Sequence, residues 1–193
     1  MGALTVIKLG GSHAFAPHLR AWLDAIAGQA GSIVLVPGGG PFADAVRDAQ
    51  PRIGFDDRAA HRMALLAMEQ FGCALASLND RYLLVDTLAA IRDALEQQRV
   101  PVWLPTRIVL SAAEIAWSWD VTSDSLAAWL AGALGADRLV LVKHAASALP
   151  AQELAARGVV DPSFPGFLQA SGVPLVVLGA NDHATLIRAE ELA

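Results

Sequence analysis

The chain has 193 residues, of which 54% are hydrophobic and 17% are charged, so its composition excludes an intrinsically disordered protein. Its formal net charge of -5 argues against a general nucleic-acid binder or a protein that coats an anionic membrane, because both usually carry a basic surface. The single cysteine, Cys73, cannot form an internal disulfide bond. With no secretory signal pattern and no apolar run of the roughly 20 residues that span a bilayer, we expect a cytoplasmic protein.

Apolar runs and helical patterns alternate along the chain. Five short runs rich in Val, Ile and Leu do not alternate strictly with polar residues, which is typical of strands buried on both faces of a parallel sheet. In chain order, the predicted strands cover 4–9, 32–37, 100–105, 138–143 and 173–179. The predicted helices cover 17–30, 41–49, 57–78, 86–98, 123–134 and 182–189, and 144–172 is predicted to be a loop with a short helix. This order predicts a single domain over 1–193 that forms a three-layer α/β/α sandwich with a mainly parallel sheet.

Two predicted strands are followed by glycine clusters. The sequence VIKLGGSHAF places Lys8 before Gly10 and Gly11, and IVLVPGGGPF places glycines at 38–40. Ligands of parallel sheets bind beyond the carboxyl ends of the strands, where glycines let backbone N–H groups face a phosphate at a helix start. Glycines that only turn the chain, and a lysine that points to solvent, are the alternative. We favour a phosphate site, because an unpaired ammonium at the end of a buried strand is costly.

A third polar stretch, DVTSDS at 120–125, begins a predicted helix. Thr122 or Ser123 is a suitable helix cap, and acidic residues are favourable near a helix N-terminus. Capping alone does not require two acidic residues, Asp120 and Asp124, so this stretch is a candidate part of the same site.

The ordered combination of KLGGS at 8–12, PGGGP at 37–41 and DVTSDSLAA at 120–128 resembles the amino acid kinase superfamily over nearly the whole chain. That superfamily includes acetylglutamate kinase, aspartokinase, glutamate 5-kinase and bacterial uridylate kinase. The short length and the stretch DDRAAHRMALLAME at 56–69 are most similar to the small kinases of methanofuran biosynthesis. Those enzymes convert an aminomethylfuran methyl phosphate to its diphosphate.

The resemblance implies a kinase that uses ATP and Mg²⁺, with the metal carried by the nucleotide and no metal site in the protein. Lys8 would neutralise the transferring phosphoryl group, and Asp120 would hold that lysine in position. The implied nucleotide-site residues are Gly10, Gly11, Ser12, Thr122, Ser123, Asp124, Lys143 and Asp161. The implied acceptor-site residues are Gly38, Gly39, Gly40 and His61. A surface position for Lys143 and a solvated helix start around His61 remain open as alternatives.

The implied acceptor is a small anionic molecule, and a phosphomonoester such as the aminomethylfuran methyl phosphate fits best. A uridylate-type nucleoside monophosphate kinase and a non-catalytic storage protein that binds a nucleotide or oxyanion on the same fold are the alternatives. We expect a homo-oligomer that binds neither nucleic acid nor a membrane. The run VLVKHAASALPA at 140–151 departs from the TDVDG-like stretch of many relatives, which leaves the shape of the adenine pocket open.

Overall fold

The computed structural model describes residues 3–29 and 32–188. Within them, six parallel strands form one sheet: β1 (Leu4–Leu9), β2 (Ser32–Pro37), β3 (Tyr82–Val85), β4 (Val100–Trp103), β5 (Arg138–Val142) and β6 (Leu175–Leu178). Their order across the sheet is β3-β4-β2-β1-β5-β6, so β1 and β2 lie at the centre. The carboxyl ends of β1, β2 and β5 therefore meet at one edge.

The described helices are α1 (Leu19–Ala27), α2 (Gly40–Ile53), α3 (Asp57–Ala76), α4 (Leu88–Glu96), α5 (Thr106–Val109), α6 (Ser123–Leu134), α7 (Ala151–Ala156), α8 (Phe164–Ser171) and α9 (His183–Arg188). A single 3-10 turn covers Gly11–His13. None of these helices is both long and apolar enough to cross a membrane. Residues 30 and 189, with which two predicted helices end, lie outside the described residues, as do the ends of the predicted domain.

Two apolar cores lie on opposite faces of the sheet. In β1, Val6 belongs to the core that includes α4 and α6, whereas Ile7 and Leu9 belong to the core that includes α1 and part of α3. This division follows from the period of two along a strand, which sends successive side chains to opposite faces. The predicted three-layer α/β/α architecture is confirmed.

The structure differs from the predicted elements at several places, among them the short helix α5, which was not predicted. The sequence analysis missed β3, a four-residue edge strand in which Leu84 is exposed, because so short a run gives little periodicity. α2 continues through Pro51 to Ile53, although proline is unfavourable inside a helix, and Gly54 ends it with φ +86°. The predicted loop at 144–172 contains two helices, α7 and α8.

Candidate active site

The two glycine turns, Gly10–Gly11 and Gly38–Gly40, pack directly against each other. β1 and β2 are neighbours, and the N–H of Gly38 donates to the carbonyl of Leu9 at 2.9 Å. A Cβ atom on Gly11 would lie 2.0 Å from the backbone nitrogen of Gly40, and one on Gly38 would lie 2.3 Å from the backbone nitrogen of Gly11. Any side chain at either position would push the turns apart. The glycines thus bring two strand ends and their amides within contact distance.

Lys8 and Lys143 converge on a single carboxylate, that of Asp124. Lys8 ends in an ammonium 2.8 Å from Asp124 Oδ1, and the Lys143 ammonium lies 2.6 Å from Oδ2. The Lys143 contact has hydrogen-bond geometry, whereas the Lys8 contact is a close ion pair without it. These are the only two lysines in the sequence. Two positive charges balanced by one negative charge leave a net positive site at the strand ends.

Burial and charge act in opposite directions on this cluster. Burial raises the pKa of Asp124, but the ammonium groups of Lys8 and Lys143 outweigh it, so the pKa lies below its usual value and the carboxylate is ionised. Burial and the nearby charge of Lys8 lower the pKa of Lys143, Asp124 and Asp161 act in the opposite direction, and the net result is a pKa of about 8. Breaking such a buried pair is strongly unfavourable because it leaves an uncompensated charge.

The prediction that Asp120 holds Lys8 in position is wrong, because the carboxylate between the lysines is Asp124. Asp120 precedes α6 on an exposed loop, where its N–H donates to the hydroxyl of Ser118. Asp124 lies in the first turn of α6, whose residues from 123 to 128 are all buried. A carboxylate in so buried a helix start requires cationic partners, but the sequence alone does not show which of the two acidic residues is buried.

Asp161 closes the N-terminus of α6. Its Oδ2 accepts from the backbone N–H and hydroxyl of Thr122 at 3.1 and 2.8 Å and from the backbone N–H of Ser125 at 3.0 Å. Its Oδ1 accepts from the Ser125 hydroxyl. The structure therefore places this carboxylate beneath the helix turn that carries Asp124, and not on the wall of the cavity described next.

A cavity of about 250 Å³ opens beside the lysines. We call Lys8, Lys143 and the two glycine turns its lysine end. Of the predicted site residues, the cavity wall includes Lys8, Gly10, Gly11, Ser12, Gly39, Gly40, His61, Thr122, Ser123 and Lys143. Gly38 and Asp124 are buried behind that wall, and Asp120 and Asp161 lie off it. The cavity is also lined by buried apolar side chains from α3 and α6, including Leu65, Met68 and Leu126.

We call Arg47, His61, Ser118 and Trp119 the aromatic end of the cavity. The Arg47 guanidinium lies 4.5 Å from the centre of the Trp119 ring and 3.1 Å from the carboxylate of Asp44. Trp119 Nε1 donates to the side-chain oxygen of Gln50 at 2.7 Å, which ties the loop before α6 to α2. Sequence reasoning missed Arg47, although its spacing of seven residues from Gly40 places both on one side of α2.

Three histidines that are scattered in the sequence meet behind the first glycine turn. His13 Nδ1 lies 2.7 Å from His18 Nε2, and the ring centres of His13 and His144 are 5.1 Å apart. Burial, together with the neighbouring His18 and His144, lowers the pKa of His13 to about 4, so this ring is neutral. His13 also fills the space that a side chain on Gly10 would occupy, so it supports the turn from behind.

Comparisons with known proteins agree with this arrangement. Residues 3–146 match the family model described as Amino acid kinase family. A [5-(aminomethyl)furan-3-yl]methyl phosphate kinase from Methanocaldococcus jannaschii is 28% identical over 189 residues, which cover 96% of this chain and 79% of the relative.

Solved structures share the fold. Uridylate kinase from Archaeoglobus fulgidus has a TM-score of 0.71 at 17% identity, over 98% of this chain and 95% of its own. UMP kinase from Ureaplasma parvum has a TM-score of 0.69 at 15% identity, and the match covers 99% of this chain and 96% of the kinase. The family match covers well over half of the sequence, and the glycine turns and the lysine pair lie within it. The chain therefore belongs to the amino acid kinase family and is a phosphotransferase.

Proposed function

We propose that the chain is an ATP-dependent kinase that transfers the γ-phosphoryl group to the phosphate of a small phosphomonoester. The observation that carries this proposal is the pair of lysines on Asp124 at the point where two glycine turns meet. Phosphoryl transfer needs in-line positioning and cancellation of negative charge more than it needs a strong base. A buried site with net positive charge and convergent backbone amides supplies both.

Each residue of the lysine end has a distinct task in this proposal. Lys8 and Lys143 would neutralise the oxygens of the transferring group, and Asp124 would hold both ammonium groups at fixed positions. The amides of Gly10 and Gly11 would bind ATP phosphates, while Gly39 and Gly40 would face the acceptor from the adjoining strand. Since a phosphate oxygen is already an anionic nucleophile at neutral pH, the acceptor needs no general base.

Magnesium would enter on the nucleotide phosphates and reduce their charge further. Ser12, Thr122 and Ser123 line the cavity beside the lysines and would bind oxygen atoms of the nucleotide and its hydrated metal. Mg²⁺ commonly keeps several waters and is bound largely through substrate phosphates, so hydroxyl groups in the cavity wall fit its requirements without a dedicated carboxylate.

The acceptor would occupy the rest of the cavity. Its apolar lining suits a small ring, and Arg47, which is paired with Asp44, adds a third cationic side chain to the wall. The relative from Methanocaldococcus jannaschii is named for an aminomethylfuran methyl phosphate, which has a small aromatic body and an anionic phosphate. We therefore infer that this compound, or a close analogue, is the acceptor and that its diphosphate is the product.

Two other functions remain as alternatives. A uridylate-type kinase also transfers to a phosphate, and the solved structures named above share that fold. A storage protein on the same fold would bind the anion without turnover, but it has no evident need for two lysines held on one buried carboxylate. The lysine cluster favours catalysis over storage.

The test is release of ADP from ATP and Mg²⁺ with a panel of acceptors. We expect turnover with the aminomethylfuran methyl phosphate and little with its unphosphorylated alcohol or with UMP. Preference for the alcohol would remove the phosphate-acceptor assignment, and preference for UMP would establish the uridylate alternative. Saturable ATP binding with no turnover on any acceptor would support a storage role.

We also infer that the enzyme works as a homo-oligomer. α3 exposes Met63 and Leu66 to solvent at 38% and 42%, and Ile53 nearby in the sequence is 74% exposed. Covering these side chains with a second copy would remove apolar surface from water. Light scattering after size-exclusion chromatography should report more than 20.2 kDa, and a strict monomer would contradict the inference.

A further inference from the structure

Asp161 is a buried carboxylate whose side-chain hydrogen bonds all end on one helix start. It is 7% exposed, and it accepts from the backbone N–H and the hydroxyl group of both Thr122 and Ser125. A carboxylate that only accepts, from several donors at once, has the pattern of the ionised form. A neutral side chain could cap the same helix at a lower cost of burial, so the charge itself needs a reason.

The turn that carries Asp161 is fixed on both sides. Val160 and Phe164 flank it, and both are buried in the same core as α6. The N–H of Phe164 donates to the carbonyl of Asp161 at 3.1 Å. The N–H of Ser163 donates to the carbonyl of Asp120, just before α6, at 3.2 Å. The carboxylate is therefore preorganised, and it ties the start of α6 to the segment between α7 and α8.

Asp124 lies between the two residues that Asp161 holds. Thr122 occupies the N-cap position of α6 and Ser125 follows in its first turn, so the bonds to both span the turn that carries Asp124. The Asp124 carboxylate in turn contacts the two lysine ammonium groups at 2.8 and 2.6 Å. A shift of this turn would move the carboxylate that both ammonium groups share.

The buried charges around the lysines balance only when Asp161 is counted. Lys8, Lys143 and Asp124 sum to one positive charge, and two buried ammonium groups repel each other. Burial and the charge of Lys8 lower the pKa of Lys143, whereas Asp124 and Asp161 raise it. Because Asp161 lies off the cavity wall, it offsets the repulsion from behind while the wall itself keeps its positive charge.

We propose that Asp161 is a positioning residue for phosphoryl transfer, which fixes the first turn of α6 so that Asp124 meets both lysines and which supplies the negative charge that balances the second ammonium group. This inference rests on the proposed function, because it assigns the lysines to the transferring phosphoryl group. Asp161 then acts through Asp124 and Lys143 and does not touch the nucleotide, in contrast to the role that the family resemblance implies.

The experiment measures the pKa of Lys143 in the protein without nucleotide, from the lysine Cε signals after ¹³C labelling. The sequence has only two lysines, so Lys143→Arg identifies both signals. In Asp161→Asn we expect this pKa to fall from about 8 by roughly one pH unit, because a nearby negative charge favours the protonated form. At pH 7, kcat for ADP release should fall by roughly tenfold or more, because displaced catalytic groups lose in-line geometry.

Two control variants separate the charge of Asp161 from its hydrogen bonds and from the loss of a carboxylate elsewhere. Ser125→Ala removes one donor and keeps the charge of Asp161, so the pKa of Lys143 should stay at about 8. Asp137→Asn removes a carboxylate that accepts from the N–H of Leu4 at 2.7 Å, before β5 and at the opposite end of that strand from Lys143. We expect Asp137→Asn to change neither the pKa of Lys143 nor kcat.

An unchanged pKa of Lys143 in a folded Asp161→Asn protein, an equal fall of that pKa in Ser125→Ala, or a kcat within about twofold of wild type in Asp161→Asn would overturn the inference. Should Asp161→Asn fail to fold, adding Lys143→Met should restore folding, because the uncompensated ammonium group is then gone. A double variant that stays unfolded would count against a balancing charge.

The pH titration needs no substrate, so it separates this inference from the proposed function. A lowered pKa of Lys143 in Asp161→Asn, together with no turnover of any acceptor by wild type, refutes the proposed function alone. Turnover by wild type, with the pKa of Lys143 and kcat both unchanged in Asp161→Asn, refutes only the role of Asp161.

Discussion

The lysine end and the aromatic end of the cavity are built in different ways. At the lysine end, the functional groups lie at the ends of buried central strands, and backbone contacts between the glycine turns leave no room for variation. At the aromatic end, long side chains from α2, α3 and the loop before α6 meet through a cation–ring contact and a few hydrogen bonds. The first end is fixed by the fold, whereas the second can change while the fold remains. We therefore expect the lysine end to determine rate and the aromatic end to determine which acceptor binds.

The largest effect is expected for Lys8→Ala. Loss of one charged group that stabilises the transition state commonly lowers kcat by roughly 10²-fold or more, and the affinity for ATP should fall less. The measurement is kcat and KM for ATP in the ADP-release assay. Arg157→Ala serves as the control, because it removes a charge from an exposed ion pair on α7, away from the cavity. A folded Lys8→Ala protein with nearly normal turnover would show that the lysine end does not determine the rate.

Gly11→Ala should destabilise the fold by about 3 kcal/mol, because a methyl group there meets the backbone of the second glycine turn. Gly166→Ala in α8 is the matched control, since its added Cβ meets no atom within 4 Å outside its chain neighbours and the backbone of its own helix, and we expect it to be neutral or slightly stabilising. Urea unfolding measures both variants. Equal stability of the two would show that the glycine turns have more freedom than their close contact indicates.

The pH dependence of the rate should report on Lys143. Its pKa is lowered to about 8, so the free enzyme loses the positive charge as pH rises through that value. We expect kcat/KM for ATP to fall about tenfold per pH unit above it. An arginine at this position keeps its positive charge at high pH. Any activity that Lys143→Arg retains should therefore not fall above pH 8. If kcat/KM fell at the same pH in wild type and in Lys143→Arg, the fall would have to come from the titration of another group.

The smallest effect is expected at the aromatic end. Arg47→Ala should raise KM for the acceptor by about tenfold while kcat stays within about twofold, as expected for binding that is equal in the ground and transition states. Steady-state kinetics with varied acceptor and saturating ATP measure both constants. A large loss of kcat with an unchanged KM would reverse the division of tasks between the two ends.

The same division explains what the sequence could predict. Strand-ending glycines and Lys8 are local signals, so the sheet, the two turns and the place of the site were predictable. The partner of Lys8 was not, because choosing between Asp120 and Asp124 requires knowing which one faces the sheet when α6 is packed. The hydrogen bond between Trp119 and Gln50 joins residues that are 69 positions apart, and no local sequence pattern predicts it. The presence of only two lysines was a signal that could have connected Lys8 with Lys143.

The most direct test of the central claim uses those two lysines. Lysine-selective ¹³C labelling should give one Cε signal for each, and titration with ATP and Mg²⁺ would follow both at once. We predict that both signals shift with the same saturable nucleotide dependence in wild type and in Asp120→Asn. In Asp124→Asn, both should be displaced before nucleotide is added and should respond weakly to it. Saturable binding of ATP that leaves both lysine signals unmoved, or a response lost in Asp120→Asn and retained in Asp124→Asn, would contradict the account.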